Sequence, residues 1–472
     1  MKKRFMTLGA AFMMALALWA EGQAKYVFYF IGDGMGVNQV NGTETFLAAQ
    51  EGRIGIKPLR FAQFPHAALV TTFSATNGVT DSAAGGTALA TGKKTKNGTL
   101  GLLEDQKTPV ATIAERAKKS GKAVGVMTSV SVDHATPASF YAHVPNRSMY
   151  HAIGKDLIQA GFDFYGGSDF LQPTDKNNPQ APSLYALSQE AGYTLARGYA
   201  DYEQKKAEAG KMILLQTEEA SKKDRSRIPY AIDRTPSDLT LKEITQAGID
   251  FLTKDNRGFF MMIEGGAIDW VCHANDAATA FRETIDMDQA VQVAYDFYKQ
   301  HPDETLIVVT ADHETGGIVL GVGPYEMHTQ VLQNQKMSIS KYSAELQHLS
   351  DSLKERFTWD VVRESLKQNF GFWDRVPLSE NQTRKLKTAF EKMKKGMAEN
   401  SKSLYQKDLE LATVAKELIN RIACVGWQSG GHSNGYVPVF AVGVGAERFA
   451  GRMDNTDIPK HIAEIADYEE LP

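Results

Sequence analysis

Residues 25–36 read Lys25-Tyr26-Val27-Phe28-Tyr29-Phe30-Ile31-Gly32-Asp33-Gly34-Met35-Gly36. An unbroken apolar run of aromatic and β-branched residues predicts a strand buried on both faces. It stops at a carboxylate set between glycines, which let the backbone turn sharply and leave Asp33 projecting from the strand's carboxyl end. Ligands sit at that end in open α/β sheets. Taken singly, the motif is no more than a turn aspartate.

Runs of the same kind recur at 122–127, 259–263, 305–310 and 436–444, separated by helical patterns at 110–119, 239–252 and 277–298. Buried strands alternating with amphipathic helices predict an α/β fold: a three-layer sandwich with a mainly parallel central sheet. Two stretches break the rhythm. Residues 171–236, rich in Pro, Asn, Lys and Glu, are expected to be loops and a small substructure on the rim. Residues 324–422 carry charged helical patterns without obvious buried strands, and are expected to form an inserted helical subdomain.

With 43% hydrophobic and 23% charged residues and a net charge of -4, the 472-residue chain has no general basic field for nucleic acid. Lys2, Lys3 and Arg4 precede an apolar run to Ala20 and then Glu21-Gly22-Gln23-Ala24. This is the order of a secretory signal over residues 1–24, cut after Ala20 or Ala24. The run is shorter than the ~20 apolar residues a spanning helix needs, so no stable membrane anchor is expected. A periplasmic or secreted mature chain over 25–472 is expected. Cys272 and Cys424 are the only cysteines, so disulfides cannot hold the fold together; one bridge or two free thiols are both open.

Five further stretches carry chemistry. In Thr80-Asp81-Ser82-Ala83-Ala84-Gly85-Gly86-Thr87, Asp81 is placed to N-cap a helix that ends near Gly92. Ser82 would then sit in the first turn, where free N–H groups and the helix dipole can hold an anion. The 259–263 strand runs into Glu264 and then Asp269 and His273, which share one helical face and can reach the same ion. The 305–310 strand ends on Asp312-His313-Glu314, and His432 lies in a glycine-rich loop before 436–444. Mixed imidazole and carboxylate groups suit zinc, and all-oxygen groups suit magnesium. Finally, His134-Ala135-Thr136-Pro137 precedes Arg147, whose fork can hold two phosphoryl oxygens at once.

These six motifs stand in the order seen in alkaline phosphatases, and the chain resembles a bacterial member of that family from about Lys25 to Val444. The resemblance implies metal-dependent hydrolysis of phosphate monoesters to alcohol and inorganic phosphate, through a phosphoserine on Ser82. It also implies low leaving-group specificity and an alkaline optimum. Asp269, His273 and His432 would hold one zinc; Asp33, Asp312 and His313 would hold a second beside Ser82. Asp33 would bridge to a magnesium completed by Thr136 and Glu264, and Arg147 would bind the phosphoryl oxygens. A homodimer is open to it. The chain departs from the best-known bacterial pattern at His134, where an aspartate is found, and at Trp270, where a lysine is found. His134 brings the metal of the third site into question, and Trp270 lines the substrate pocket without a cation's hold on phosphate. A phosphodiesterase of the same fold and an exported phosphate- or metal-binding protein without turnover are the rival readings. A sulfatase would need Pro and Arg after the nucleophile, which Ser82-Ala83-Ala84-Gly85-Gly86 lacks.

Overall fold

The structure, a computed structural model, describes residues 23–469 and 471. Ten strands form the central sheet: β1 (Tyr26–Gly32), β2 (His66–Thr71), β3 (Ala123–Thr128), β4 (Phe164–Gly167), β5 (Tyr193–Arg197), β6 (Lys211–Leu215), β7 (Phe259–Gly265), β8 (Thr305–Thr310), β9 (Val437–Gly443) and β10 (Gly451–Asp454). Their spatial order is β10-β2-β9-β8-β1-β7-β3-β4-β6-β5. Every pairing is parallel except those of β9, which runs antiparallel to both β2 and β8.

The apolar runs have the cause inferred for them. All positions of β1, β3, β7 and β8 are buried, because successive side chains point to opposite faces and helices cover both. Phe28 meets Phe297 of the helix Ala277–Gln300 at 5.6 Å. Its neighbour Tyr29 points the other way, 6.0 Å from Phe140, and donates its hydroxyl to the Leu89 carbonyl of the helix Ser82–Thr91.

Residues 171–236 differ from the loop expectation. β5 and β6 lie there and extend the parallel sheet at its β4 edge. Both strands are short, and β5 is only half-buried, so its polar positions hide it in the sequence. Residues 324–422 contain the helices Ile339–Leu353, Trp359–Phe370, Glu380–Lys394 and Glu410–Ile422 around a separate apolar cluster that includes Tyr342, Phe370, Phe390 and Leu418. Cys272 and Cys424 are both free thiols. Among the described residues no helix is long and apolar enough to cross a membrane; the expected signal over residues 1–24 lies almost wholly outside them.

Candidate active site

Parallel register aligns the strand ends that form the floor of the site. Ile31 lies beside Glu264 on one side and Thr310 on the other, and Thr128 pairs with Glu264. Asp33, Glu264, Asp312 and His313 therefore emerge at one edge. Because β9 is antiparallel, its entry lies at this same edge, and His432 sits in the loop that feeds it. A two-residue strand, His432–Ser433, pairs with Glu314–Thr315 and ties that loop to the segment after His313.

The Ser82 helix is capped as its sequence requires. Asp81 Oδ1 accepts from the Ala84 and Gly98 amides at 3.0 Å each, and Gly92 ends the helix at φ 69°. The helix is buried at every position. A Cβ on Gly85 would stand 2.8 Å from the Asp312 carbonyl oxygen, so only glycine permits this approach. Ser82 Oγ consequently lies 3.2 Å from His313 Nε2.

Three groups of ligand-type atoms converge there: Asp269, His273 and His432; Asp33, Asp269 and His313; and Asp33, His134 and Glu264. In the first, His273 Nε2 lies 3.2 Å from Asp269 Oδ2 and 3.2 Å from His432 Nε2. The other ring nitrogens are used, since His273 Nδ1 meets the Gly430 carbonyl at 2.7 Å and His432 Nδ1 the Thr80 carbonyl at 2.8 Å. A carbonyl can only accept, so each Nδ1 carries the proton and each Nε2 presents a lone pair. Two lone pairs and a carboxylate facing one point fit a cation. In the second group, His313 Nε2 is 3.2 Å from Asp33 Oδ1, and Asp312, outside the group, stands beside it with Oδ2 3.5 Å from the same nitrogen. The other Asp312 oxygen is fixed by the amides of Gly34 and His313.

The third group brings His134 together with Asp33 and Glu264, and Thr136 lies beside them. The Thr136 hydroxyl stands 3.4 Å from one oxygen each of Asp33 and Asp312. Glu264 accepts a short hydrogen bond from Thr128, while its Oε1, like Asp33 Oδ1 and Asp269 Oδ2, is buried without a hydrogen-bond donor among the described residues. Orphaned carboxylate oxygens at this depth are costly unless a cation meets them, so the donor set fits metal ions.

The electrostatics follow from the crowding. Burial, then neighbouring carboxylates, pushes Asp33 well above the usual carboxylate range, Asp312 to about 7 and Glu264 to about 8. Burial also acts to raise Asp269, but His273, His432 and His313 around it hold it below the usual range. Burial and then the Arg147 charge press His134 down to about 3, leaving a neutral ring.

Arg147 donates to Asp81 Oδ2 at 3.0 Å and to His134 Nε2 at 3.3 Å. The residue that caps the serine's helix therefore also aims the arginine. Trp270 lies edge-on to His134 at 5.6 Å, and its other contacts are Tyr405, stacked at 4.3 Å, and the Arg227 guanidinium at 5.7 Å. Residues not singled out in the sequence are Thr128, Thr315, whose hydroxyl donates to Asp269 at 2.5 Å, and Tyr405. Thr315 directly follows Asp312-His313-Glu314 but carries no mark of a role there, and Thr128 and Tyr405 stand in no motif; Tyr405 comes from the insertion, where no pattern pointed at the site.

A model of the alkaline phosphatase family matches residues 24–165 and 208–468. The chain belongs to the alkaline phosphatase family. Alkaline phosphatase 3 of Bacillus subtilis strain 168 is 30% identical over 456 residues, covering 95% of this chain and 90% of that protein. The cold-active alkaline phosphatase of a psychrophilic Shewanella superposes with a TM-score of 0.77 at 28% identity, over 93% of this chain and 99% of that one. A histidine-to-glutamate variant of the alkaline phosphatase from the Antarctic bacterium TAB5, with Mg bound in its M3 site, gives 0.65 at 25% identity, over 95% and 99% of the two chains. An alkaline phosphatase is a phosphoric monoester hydrolase, and its substrates are phosphate monoesters.

Proposed function

We propose that this chain hydrolyses phosphate monoesters through a phosphoserine on Ser82, with divalent cations at the three ligand groups. Asp269, His273 and His432 would hold one zinc, and Asp33, Asp312 and His313 the second, with Asp269 reaching toward both. Asp33, Glu264 and Thr136 would hold magnesium, with His134 standing close enough to take part. When bound, such cations neutralise charge on the attacking and departing oxygens of phosphoryl transfer.

The chain's own residues do the remainder. The free amides of the first turn and the positive end of the helix favour negative charge at Ser82 Oγ. Oγ attacks phosphorus, a P–O bond to Ser82 forms, and the bond to the ester oxygen breaks as the alcohol leaves. Arg147, held by Asp81, spans two phosphoryl oxygens as their charge is redistributed. Water then attacks phosphoserine on the opposite side, restoring Ser82 and releasing inorganic phosphate. None of the residues named grips a leaving group, which accords with broad specificity, and an alkaline optimum accords with the family. Export by the 1–24 segment would place the enzyme in the periplasm or outside the cell.

The observation that carries this reading is the pair of Nε2 lone pairs 3.2 Å apart on the same Asp269, within the pocket that holds Ser82. Metal-stripped protein titrated with zinc and then magnesium should gain activity on a chromogenic phosphate ester. Ser82→Ala should bind about two zinc per chain without turnover. Activity unaffected by stripping and return of metal would refute it.

A further inference from the structure

Residues 401–408 form a small hairpin that leaves the helical insertion and reaches the active site. Ser401–Lys402 pairs antiparallel with Lys407–Asp408. The tip is closed by Ser403 N donating to the Gln406 carbonyl at 2.9 Å and by Gln406 N donating to Ser403 Oγ at 3.3 Å. Leu404 at the tip points into solvent, and Tyr405 beside it turns inward. The hairpin is fastened at both ends, by Ser401 Oγ to Thr413 Oγ1 at 2.7 Å and by Leu409 N to Ser343 Oγ at 3.1 Å.

The Tyr405 ring stacks on Trp270 with centroids 4.3 Å apart and planes 13° from parallel. It also meets His273 edge-on at 5.5 Å and His134 at 5.9 Å. His273 belongs to the first ligand group and His134 to the third, so the ring spans the width of the site. One face is spent on Trp270. Its hydroxyl has no hydrogen-bond partner among the described residues, and the His134 ring that Tyr405 meets takes the Arg147 guanidinium on Nε2 at 3.3 Å, which sets the phenol beside the arginine. Beside an arginine placed for phosphoryl oxygens, an uncommitted O–H donor in a largely enclosed pocket has one chemical partner in reach, an anionic oxygen.

We propose that Tyr405 donates its hydroxyl to the transferring phosphoryl group beside Arg147, so that the 401–408 hairpin sets how tightly phosphate monoesters and inorganic phosphate are held. This rests on the reading of the site as that of a phosphatase. A donor to the phosphoryl group acts on the part common to every substrate, whereas a wall for the leaving group would distinguish aryl from alkyl esters.

The test compares the parent with Tyr405→Phe, which keeps the ring and its stacking, using p-nitrophenyl phosphate, glycerol phosphate and inorganic phosphate as inhibitor. Tyr405→Phe should raise KM for both esters and the inhibition constant of phosphate by a shared factor of about ten, with kcat changed less. The rise in melting temperature that phosphate confers on the parent should shrink in the variant, although the two melt together without phosphate. Parental constants in Tyr405→Phe, or a change confined to the aryl ester, would overturn the proposal and leave the phosphatase reading standing. A parent inactive on both esters would overturn the phosphatase reading itself.

Discussion

Asp81→Asn separates what this residue does for the helix from what it does for Arg147. Oδ1 caps the helix and holds Gly98, and Oδ2 takes the Arg147 guanidinium at 3.0 Å. Asparagine is as good an N-cap as aspartate, so its oxygen keeps the Ala84 and Gly98 contacts. Its amide NH2 then faces the guanidinium, donor against donor, and Arg147 loses its anchor. A hydrogen bond to a charged group contributes ~1.5–3 kcal/mol, and both side chains are largely enclosed. If that support is realised in the transition state, kcat/KM on a chromogenic monoester should fall about 10- to 100-fold. Stability in a denaturant titration should barely move, whereas Asp81→Ala, which loses the cap too, should cost about 1 kcal/mol. The double variant Asp81→Asn with Arg147→Ala should be no worse than Arg147→Ala alone, since one residue acts through the other. Parental kcat/KM in Asp81→Asn, or additive losses in the double variant, would refute the reasoning.

Trp270→Lys would put a cation where the pocket now has an indole, and should lower the inhibition constant of inorganic phosphate; an unchanged constant would show that Trp270 does not govern phosphate retention. Stability without metal should depend on pH in a defined direction. Asp33, Asp312 and Glu264 hold protons more tightly folded than unfolded, so their contribution is full below about pH 4 and is lost as pH rises through about 7 to 8. Chelator-treated protein should melt lower at pH 8.5 than at pH 5.5, and the gap to metal-loaded protein should widen over that interval; a constant gap would contradict it.

The parallel sheet was legible because β1, β3, β7 and β8 are covered on both faces and so had to be continuous apolar runs. β5, at the edge, has half-buried polar positions and no such mark, and β6 has only the four-residue apolar run Met212-Ile213-Leu214-Leu215 set among polar turns. The ligand residues were legible through their place at strand ends, with Asp269 and His273 four apart on one helix. Their grouping was less so: that His134 meets Asp33 and Glu264, and that Asp269 faces both His432 and His313, depends on side-chain packing across four strands. The role of Asp81 was read only in part, since helix capping is local and the Arg147 contact joins residues 66 apart. Tyr405 could not have been found, because its place over the site is set by how a whole helical insertion docks.

The covalent step is open to direct trapping. Metal-loaded protein should be incubated with radiolabelled inorganic phosphate at mildly acidic pH, quenched in acid, digested and mapped. The account predicts label on the peptide containing Ser82, absent from Ser82→Ala and from metal-stripped protein. Label on another residue, or full activity in Ser82→Ala, would contradict it.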